Sequence, residues 1–288
     1  MLLITGANGQ LGRLIVEEVL RRAPGQPLAV SVREPDRATD LATRGVEVRR
    51  GDYDEPSSLT GAFHGVNRLL LMPTPEPDPV IRVNRLRVAI EAAVAAGVSH
   101  IVYPSAHAID RFDNPLFATH LQTEKLIQES GTDWTMLRNA IYADVIAREV
   151  QGAIAAGELA APAGTAAIAP VLRRDLAAAT AAVLVGEGHE GRIYELTGPD
   201  TLNWHDLAAL ASEKADRLIA YRAIEDDEAA DRLKAAGLPE PVVGALLGFY
   251  AAYRAGWCGT PSPDLANLAG RATPSLDAVR VVIEGTAR

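Results

Sequence analysis

Short apolar runs alternate with longer amphipathic stretches over residues 1–150 of the chain. The apolar runs are too short for helices and the stretches between them have helical spacing, so the pattern predicts alternating strands and helices. The predicted strands are Leu2–Thr5, Leu28–Val32, Val46–Arg50, Arg68–Met72, His100–Tyr103 and Trp134–Arg138. The predicted helices are Leu11–Arg22, Asp36–Arg44, Pro56–Phe63, Val80–Gly97 and Leu116–Ser130. Continuous apolar strands that alternate with helices are typical of a parallel sheet covered on both faces.

The alternation changes after Tyr142, where an Ala/Gly/Pro-rich stretch, Gln151–Pro170, is assigned no helix or strand. Beyond it the pattern predicts helices at Arg173–Val185, Trp204–Ala215, Glu225–Ala236 and Pro239–Tyr253, and strands at Arg192–Leu196 and Leu218–Arg222. We therefore expect an α/β fold with a doubly wound, parallel Rossmann-type sheet in residues 1–150. Residues 151–288 are expected to form a smaller, mostly helical substrate lobe packed against that domain, and one of its strands is a candidate for return to the main sheet.

Three glycines, at positions 6, 9 and 12, lie between the first predicted strand and the first predicted helix. Gly6 permits a tight turn, Gly9 lets the backbone approach a pyrophosphate, and Gly12 allows close packing of the helix on the strand. Free N–H groups and the dipole at the start of the helix favour a bound anion. An ordinary glycine-rich turn is the alternative, but the place of the motif after an N-terminal strand predicts dinucleotide binding.

The end of the second predicted strand contacts the adenosine ribose in dinucleotide-binding folds. Arg33 stands there, where an acidic residue would bind the ribose hydroxyls of NAD. Its guanidinium can pair with the 2′-phosphate of NADP, with help from Arg37. Glu34 argues for NAD instead, because its carboxylate can accept hydrogen bonds from the ribose hydroxyls. A second alternative is that Arg33 is simply solvated and contacts no nucleotide. We expect NADP(H), with NAD(H) left open.

The next strand ends supply further candidates for contact with the nucleotide, because ligands bind at the carboxyl ends of parallel strands. Asp52 can accept from the adenine amino group, although a helix-capping role is the alternative, and Tyr53 can flank the ring. The segment Met72-Pro73-Thr74 would pass beside the nicotinamide ribose.

Composition and charge narrow the class of protein. Hydrophobic residues make up 48% and charged residues 23% of the 288, which excludes a disordered chain. The net charge is -9 and no basic patch is visible in the sequence, so a nucleic-acid partner is not expected. Cys258 is the one cysteine, so neither an internal disulfide nor a thiolate metal cluster is expected. No uncharged stretch reaches membrane-spanning length and the N-terminus starts as a strand, so the prediction is a cytoplasmic protein without a membrane partner.

A family resemblance rests on a series of segments that follow one another from residue 1 to about 240. The most specific is TEK-x4-SG-x2-[WY]-T-x-LRN, and the GxxGxxG spacing agrees with it. Together they resemble the NmrA-like, atypical short-chain dehydrogenase/reductases, in the branch of type 2 quinone oxidoreductases and triphenylmethane reductase. The segments are TGANGQLG, SVREPDRA, GDYDEP, LLLMP, AAVAAGVSHIVYPSAHA, HLQTEKLIQESGTDWTMLRNAIYADV and GHEGRIYELTG.

The resemblance implies NADPH-dependent, two-electron reduction of a quinone or a similar conjugated acceptor, with no metal. It also implies cofactor contacts at Gly6, Asn8, Gly9, Gln10, Leu11, Gly12, Arg33 and Lys125.

The catalytic pair of standard short-chain dehydrogenases is Tyr-x-x-x-Lys, in which the tyrosine donates a proton. Counting back from Lys125 gives Leu121, so the tyrosine is missing, as in the NmrA-like group. Lys125 is expected to bind the ribose, with a salt bridge to nearby carboxylates as the alternative. Ser105 follows the fifth strand and is expected to bond the nicotinamide or the substrate.

Four residues are candidates for lining the substrate site, and each has an alternative. The alternative for His107 is a solvated loop residue, and the alternative for His120 is a histidine on the helix surface. The alternative for Asn139 is a cap of the following helix. Tyr142 is otherwise an anchor of the lobe through its hydroxyl. His107 and Tyr142 are the preferred candidates for direct contact with substrate, and no catalytic residue is assigned with certainty.

Two other functions remain open on this sequence. Some NmrA-like proteins bind the dinucleotide as redox sensors without turnover, and the missing tyrosine permits that alternative. A nucleotide-sugar epimerase is disfavoured, because such enzymes need the tyrosine.

The segment Pro239–Trp257 is predicted to pack in the core, with covering of the cleft or pairing of subunits as alternatives, so monomer and homodimer both stay open.

Overall fold

The structure is a computed structural model that describes residues 1–112 and 115–285. Its strands are β1 (Leu2–Thr5), β2 (Leu28–Val32), β3 (Glu47–Arg50), β4 (Arg68–Leu70), β5 (His100–Ala106), β6 (Asp133–Asn139), β7 (Leu159–Ala161), β8 (Ala167–Ile168), β9 (Arg192–Leu196), β10 (Leu202–Asn203) and β11 (Tyr221–Ala223). Its helices are α1 (Gln10–Arg22), α2 (Thr39–Ala42), α3 (Pro56–Phe63), α4 (Pro79–Ala95), α5 (Pro115–Gln128), α6 (Ala143–Ala156), α7 (Arg173–Val185), α8 (Trp204–Ala215), α9 (Asp226–Ala235), α10 (Glu240–Arg254), α11 (Asp264–Ala269) and α12 (Ser275–Ile283). Within the described residues, no helix is long and apolar enough to cross a membrane.

Seven strands form one sheet in the order β3-β2-β1-β4-β5-β6-β9. The pairs β1–β2, β1–β4, β2–β3, β4–β5 and β5–β6 are all parallel. The sequence prediction of a doubly wound, parallel α/β fold is therefore confirmed. Parallel pairing brings the carboxyl ends of these strands, and the loops that follow them, to one edge of the sheet.

The chain divides into two compact units that interleave along the sequence. The first is built from Met1–Ala106, Ala118–Asn139 and Arg173–Glu195, and contains most of the large sheet. The second is built from His107–Phe117, Ala140–Leu172 and Leu196–Arg288, and contains α6, α8 to α12 and two small two-stranded sheets, β8/β10 and β7/β11.

Apolar side chains of the strands pack against α3, α4 and α5 in the core of the first unit. Tyr103 of β5 and Met136 of β6 are paired in register and belong to the same buried cluster. Helix residues in this cluster include Leu59, Phe63, Leu86, Ile90 and Ile127. Since side chains alternate across a strand, Ser105, two residues beyond Tyr103, shares the sheet face that carries α5.

The structure gives bounds to the helix after Asn139, which the sequence analysis mentions but does not delimit. Helix α6 begins directly after Tyr142 and runs into the stretch 151–170, where no element is predicted. Its buried residues follow helical spacing, and it ends at Gly157, whose φ of 85° is left-handed. Strands β7 and β8 follow within the same stretch. The sequence predicts strand ends less well. The strand β5 extends to Ala106, beyond the predicted end at Tyr103, whereas β4 ends at Leu70, before the predicted end at Met72.

A buried carboxyl group lies among aromatic side chains in the second unit. The indole Nε1 of Trp204 donates to Glu149 Oε2 at 2.8 Å, and Tyr250 also hydrogen-bonds this carboxyl group. The rings of Tyr250 and Tyr253 lie 6.0 and 5.5 Å from the Trp204 ring. Burial raises the pKa of Glu149 to about 7. Tyr253 is buried on α10, as expected for core packing of this segment, whereas Val242 on the same helix is exposed.

We expect the Glu149→Gln variant to lose a pH dependence of stability. In the unfolded chain Glu149 ionises near its ordinary pKa of 4.5, but in the folded protein only near 7. The folded state therefore binds more protons between these values, and the free energy of unfolding falls as pH rises from about 4.5 to about 7. The loss is at most about 3 kcal/mol and is complete above pH 7.

Urea unfolding across this pH range measures the effect. The glutamine side chain keeps the hydrogen-bonding shape without the charge, so the variant's profile should be flatter by that amount. The exposed Glu129→Gln serves as the matched control and should keep the wild-type profile. Identical pH profiles for Glu149→Gln and the wild type would contradict the assignment.

Candidate functional site

The glycine loop brings the start of α1 against the end of β1. Gly6 has a φ of 64°, in the left-handed region, and the Gly9 N–H donates to the Gly6 carbonyl oxygen at 2.9 Å. A Cβ added to Gly12 would lie 2.4 Å from that same oxygen, so only glycine fits there. Among the described residues, no side chain caps the N-terminus of α1. Gln10 is exposed in the first turn, and Leu11 is buried. The first-turn N–H groups are therefore directed toward a ligand position, as a phosphate requires.

The loop is tied to the end of β2. Asn8 Nδ2 donates to the Glu34 carbonyl oxygen at 3.3 Å, while Asn8 Oδ1 is buried and has no partner among the described residues. Arg33 is exposed, has no hydrogen-bond partner among the described residues, and interacts electrostatically with the Asp54 carboxylate, whose pKa it helps to lower. The Glu34 carboxylate lies 3.8 Å from the Arg37 guanidinium. The acidic group that argued for NAD is thus beside a cation, while Arg33 has all its donors available.

The residues predicted near the adenine and the nicotinamide ribose meet behind the glycine loop. The Tyr53 hydroxyl donates to Thr5 Oγ1 at 2.9 Å, and the Met72 N–H donates to the same oxygen at 2.8 Å. Burial raises the pKa of Tyr53, so its hydroxyl stays protonated. Asp52 does not cap α3, which starts after Glu55; its carboxylate accepts from the Asp54 N–H at 3.1 Å.

A cavity of about 310 Å³ lies beside this network in the first unit. Tyr53 contributes to its wall, as does the first half of α4. Pro73 and Thr74 are half-buried in the loop after β4. The cavity is lined by Tyr53, Asp54, Pro56, Val80, Ile81, Asn84, Arg85 and Val88.

The ends of β5 and β6 each carry a buried polar atom without a partner. Ser105 and Asn139 are both 5% exposed, and neither Ser105 Oγ nor Asn139 Oδ1 has a hydrogen-bond partner among the described residues. Asn139 does not cap α6, whose N-cap is Tyr142, so that alternative is wrong. A buried acceptor left unpaired costs about 1–3 kcal/mol, which a bound ligand would offset.

His120 lies within a hydrogen-bonded chain rather than on the helix surface. Its Nε2 is 3.2 Å from Arg82 Nη2, and its Nδ1 is 3.0 Å from the Tyr103 hydroxyl. Because a guanidinium only donates, Nε2 accepts and the ring proton is on Nδ1. Burial and the Arg82 charge lower the pKa of His120 to about 3, so the ring is neutral at physiological pH.

Lys125 makes no hydrogen bond or ion pair with the other candidates among the described residues. It is exposed in the last turn of α5, and it makes no salt bridge among the described residues. The preceding residue, Glu124, pairs with Arg138 at 2.8 Å, and Arg138 is in register with Ser105, so this part of α5 packs beside the carboxyl end of β6. A contact of Lys125 with the ribose stays a prediction, and the described residues do not support the alternative of a salt bridge.

The two preferred substrate candidates belong to the second unit. His107 is buried rather than solvated, and its carbonyl oxygen accepts from the indole N–H of Trp257 at 2.7 Å. Tyr142 is half-buried, precedes α6 and is bridged to Val171. Backbone contacts within this unit therefore hold both residues.

Three residues of the first unit that sequence reasoning missed carry polar groups near helix starts: Arg13, Arg82 and Thr119. Arg13 pairs with Asp40 at 2.8 Å, and Thr119 Oγ1 is buried without a partner among the described residues. Thr119 and Arg82 lie near the starts of α5 and α4, which are the helix ends at the carboxyl edge of the sheet. Their place near helix starts is a usable signal, but the sequence pattern does not indicate which way each side chain points.

The arrangement fits a dinucleotide. The loop around Gly6 and Gly12 is a cradle that a Cβ would fill, and the buried oxygens of Asn8, Ser105 and Asn139 lack protein partners among the described residues. Within the same part of the chain, no three His, Cys, Asp or Glu side chains are grouped so that they could hold a metal ion.

Comparisons with known proteins agree with this geometry. Residues 6–186 match the family model described as NAD(P)H-binding. Quinone oxidoreductase 2 of Escherichia coli (strain K12) is 34% identical over 276 residues, which cover 96% of each chain. The (4-alkanoyl-5-oxo-2,5-dihydrofuran-3-yl)methyl phosphate reductase of Streptomyces griseus is 34% identical over 273 residues, covering 94% of this chain and 93% of the relative. The Citrobacter sp. triphenylmethane reductase complexed with NADP(H) superimposes with a TM-score of 0.92 at 34% identity, over 97% of this chain and 99% of that chain.

We expect the Gly12→Ala variant to lose nucleotide binding. Its Cβ would meet the Gly6 oxygen at 2.4 Å, so α1 must move away from β1. Such overpacking costs about 1–3 kcal/mol and displaces the first-turn N–H groups. Fluorescence titration with NADPH and urea unfolding measure the two effects.

The Gly61→Ala variant is the matched control, because an added Cβ at this helical glycine meets nothing within 4 Å. It should bind nucleotide normally and unfold no more easily than the wild type, since alanine favours a helix interior by about 1 kcal/mol. Normal NADPH affinity in Gly12→Ala would contradict the role of the loop.

Proposed function

The chain belongs to the NAD(P)H-binding family and is an NAD(P)H-dependent reductase, and we propose that it uses NADPH to reduce a quinone or a similar conjugated acceptor. The observation that carries the proposal is a complete dinucleotide loop at a sheet edge where buried polar atoms of Ser105 and Asn139 have no partner among the described residues. When bound, the nicotinamide supplies the hydride. The redox-sensor alternative is not favoured, because the relatives described above carry the names of reductases.

The proposed roles of the residues follow from their places. The α1 N-terminus and Gly9 would hold the pyrophosphate, and Asn8 and Arg33 would hold the adenosine ribose and its 2′-phosphate. Ser105 and Asn139 would orient the nicotinamide or the acceptor through their free polar atoms.

Proton supply distinguishes this site from that of an alcohol dehydrogenase. Leu121 stands where the sequence count places the tyrosine donor, and His120 is neutral, with its one ring proton donated to Tyr103. The site therefore suits acceptors whose reduced form tolerates an oxyanion, as a hydroquinone does. Water can complete the protonation after hydride transfer, and catalysis rests on orientation.

The test of the proposal is oxidation of NADPH by the purified protein, with NADH in parallel, across a panel of benzoquinones and naphthoquinones. Turnover that prefers NADPH is the expected result. A protein that binds NADPH but reduces none of these acceptors would overturn the quinone assignment.

We expect the Arg33→Ala variant to lose its preference for NADPH. Removal of a guanidinium that pairs with a phosphate weakens binding by about 10- to 100-fold, so KM for NADPH should rise by that factor while KM for NADH stays unchanged. The exposed Arg87→Ala on α4 removes the same charge elsewhere in the first unit and should leave both constants unchanged. Equal rises for NADPH and NADH would show that Arg33 does not read the 2′-phosphate.

A further inference from the structure

Arg82 is a cation whose hydrogen-bonding capacity is almost unused. It is half-buried in the first turn of α4, and its Nη2 donates to His120 Nε2 at 3.2 Å. That is the one side-chain hydrogen bond of Arg82 within residues 1–112 and 115–285. A guanidinium has five N–H donors, so four remain for a ligand or for water.

His120, the hydrogen-bond partner of Arg82, is itself connected by hydrogen bonds to buried residues on β5 and α5. His120 Nδ1 donates to the Tyr103 hydroxyl, which is hydrogen-bonded with Thr123. Thr123 Oγ1 donates in turn to the Thr119 carbonyl oxygen at 2.7 Å. Because the ring proton of His120 is donated to Tyr103 and Tyr103 is fully buried, neither residue offers a proton to a ligand. The free N–H groups belong to Arg82, and His120 fixes its orientation.

Arg82 is also located at the functional edge of the first unit. Helix α4 starts at Pro79, after the loop that follows β4, and the ring of His120 reaches Tyr103 on β5. Tyr103 precedes Ser105 by two residues on the same sheet face, about 7 Å along the strand. Ligands bind at the carboxyl ends of parallel strands, which is the edge where Arg82 lies.

We propose that Arg82, oriented by His120, donates to the acceptor oxygen that becomes an oxyanion during reduction, and so supplies the electrophile that the missing tyrosine leaves vacant. This inference rests on the proposed function. The quinone gains a hydride, that is two electrons and one proton, and becomes the hydroquinone anion as NADPH is oxidised to NADP⁺. Its oxyanion pairs with the guanidinium until a proton from water completes the hydroquinone. The class of substrate this favours is a neutral acceptor with a conjugated carbonyl oxygen.

The test compares Arg82→Gln with the wild type in turnover and in binding. Loss of one oxyanion donor should lower kcat with a benzoquinone by about 10²-fold, while the affinity for NADPH changes by less than about twofold. Binding is tested without turnover by 4-nitrophenolate, a stable aryl oxyanion, and by uncharged nitrobenzene. The variant should bind the phenolate at least about tenfold more weakly and nitrobenzene as well as the wild type does.

Further variants separate position from charge. Arg87→Gln, an exposed arginine on the same helix, should leave both readouts unchanged. His120→Leu removes the acceptor that orients Arg82 and should weaken phenolate binding, whereas His120→Gln, which keeps an acceptor oxygen, should rescue it.

Three results would overturn the inference: unchanged kcat in Arg82→Gln, parallel loss of affinity for phenolate and nitrobenzene, or a loss of NADPH affinity that matches the loss of kcat. The last would assign Arg82 to the cofactor. If the wild type reduces no quinone, the proposed function fails, and phenolate binding alone decides whether Arg82 binds an oxyanion.

Discussion

Parallel pairing of the central strands is the constraint on which the rest of the site depends. It brings the carboxyl ends of β1, β2, β4, β5 and β6 to one edge, and each helix of the first unit then starts from that edge. The polar atoms of Asn8, Ser105 and Asn139 are buried there without partners among the described residues, at about 1–3 kcal/mol each. A fold optimised for stability alone would satisfy or remove them. Their persistence at one edge is what a ligand-binding site requires.

In the proposal above, the permanent positive charge of Arg82 takes the place of a proton donor at this edge of the sheet. His120 is neutral because burial and the adjacent Arg82 oppose its protonation, and its committed hydrogen bonds keep it so. Tyr103, behind it, is buried, which raises the pKa of its hydroxyl. Of the three hydrogen-bonded residues, only Arg82 carries a charge, and neither His120 nor Tyr103 changes its charge near neutral pH. Such a site is preorganised and needs no reorganisation when charge develops on a substrate.

The sequence was sufficient for the features that depend on backbone rules. Apolar strands and the glycine spacing indicated the sheet and the loop at Gly6 and Gly12, because Cβ exclusion and strand burial are legible locally. The extent of helix α6 was not predicted, because its alanine-rich, glycine-containing second half resembles a loop until its apolar face is packed. Lys125 was assigned to the ribose from the family resemblance, and that assignment stays a prediction, because the exposed side chain has no partner among the described residues. Arg82 and His120 are 38 residues apart in sequence and lie on different helices, so no local sequence pattern predicts that they pair.

The missing proton donor sets a limit on the acceptors that such a site can reduce. Reduction of a simple ketone leaves an alkoxide, which is about as strong a base as hydroxide. Reduction of a quinone leaves a phenolate-like anion, and a phenol has a pKa of about 10. The difference of roughly six pKa values corresponds to about 8 kcal/mol, which a ketone reductase must supply through proton donation in the transition state. A site that provides hydrogen bonds and one cation, but no acid, can bridge only a part of that gap. The proposed site is therefore expected to favour conjugated acceptors over simple carbonyl compounds.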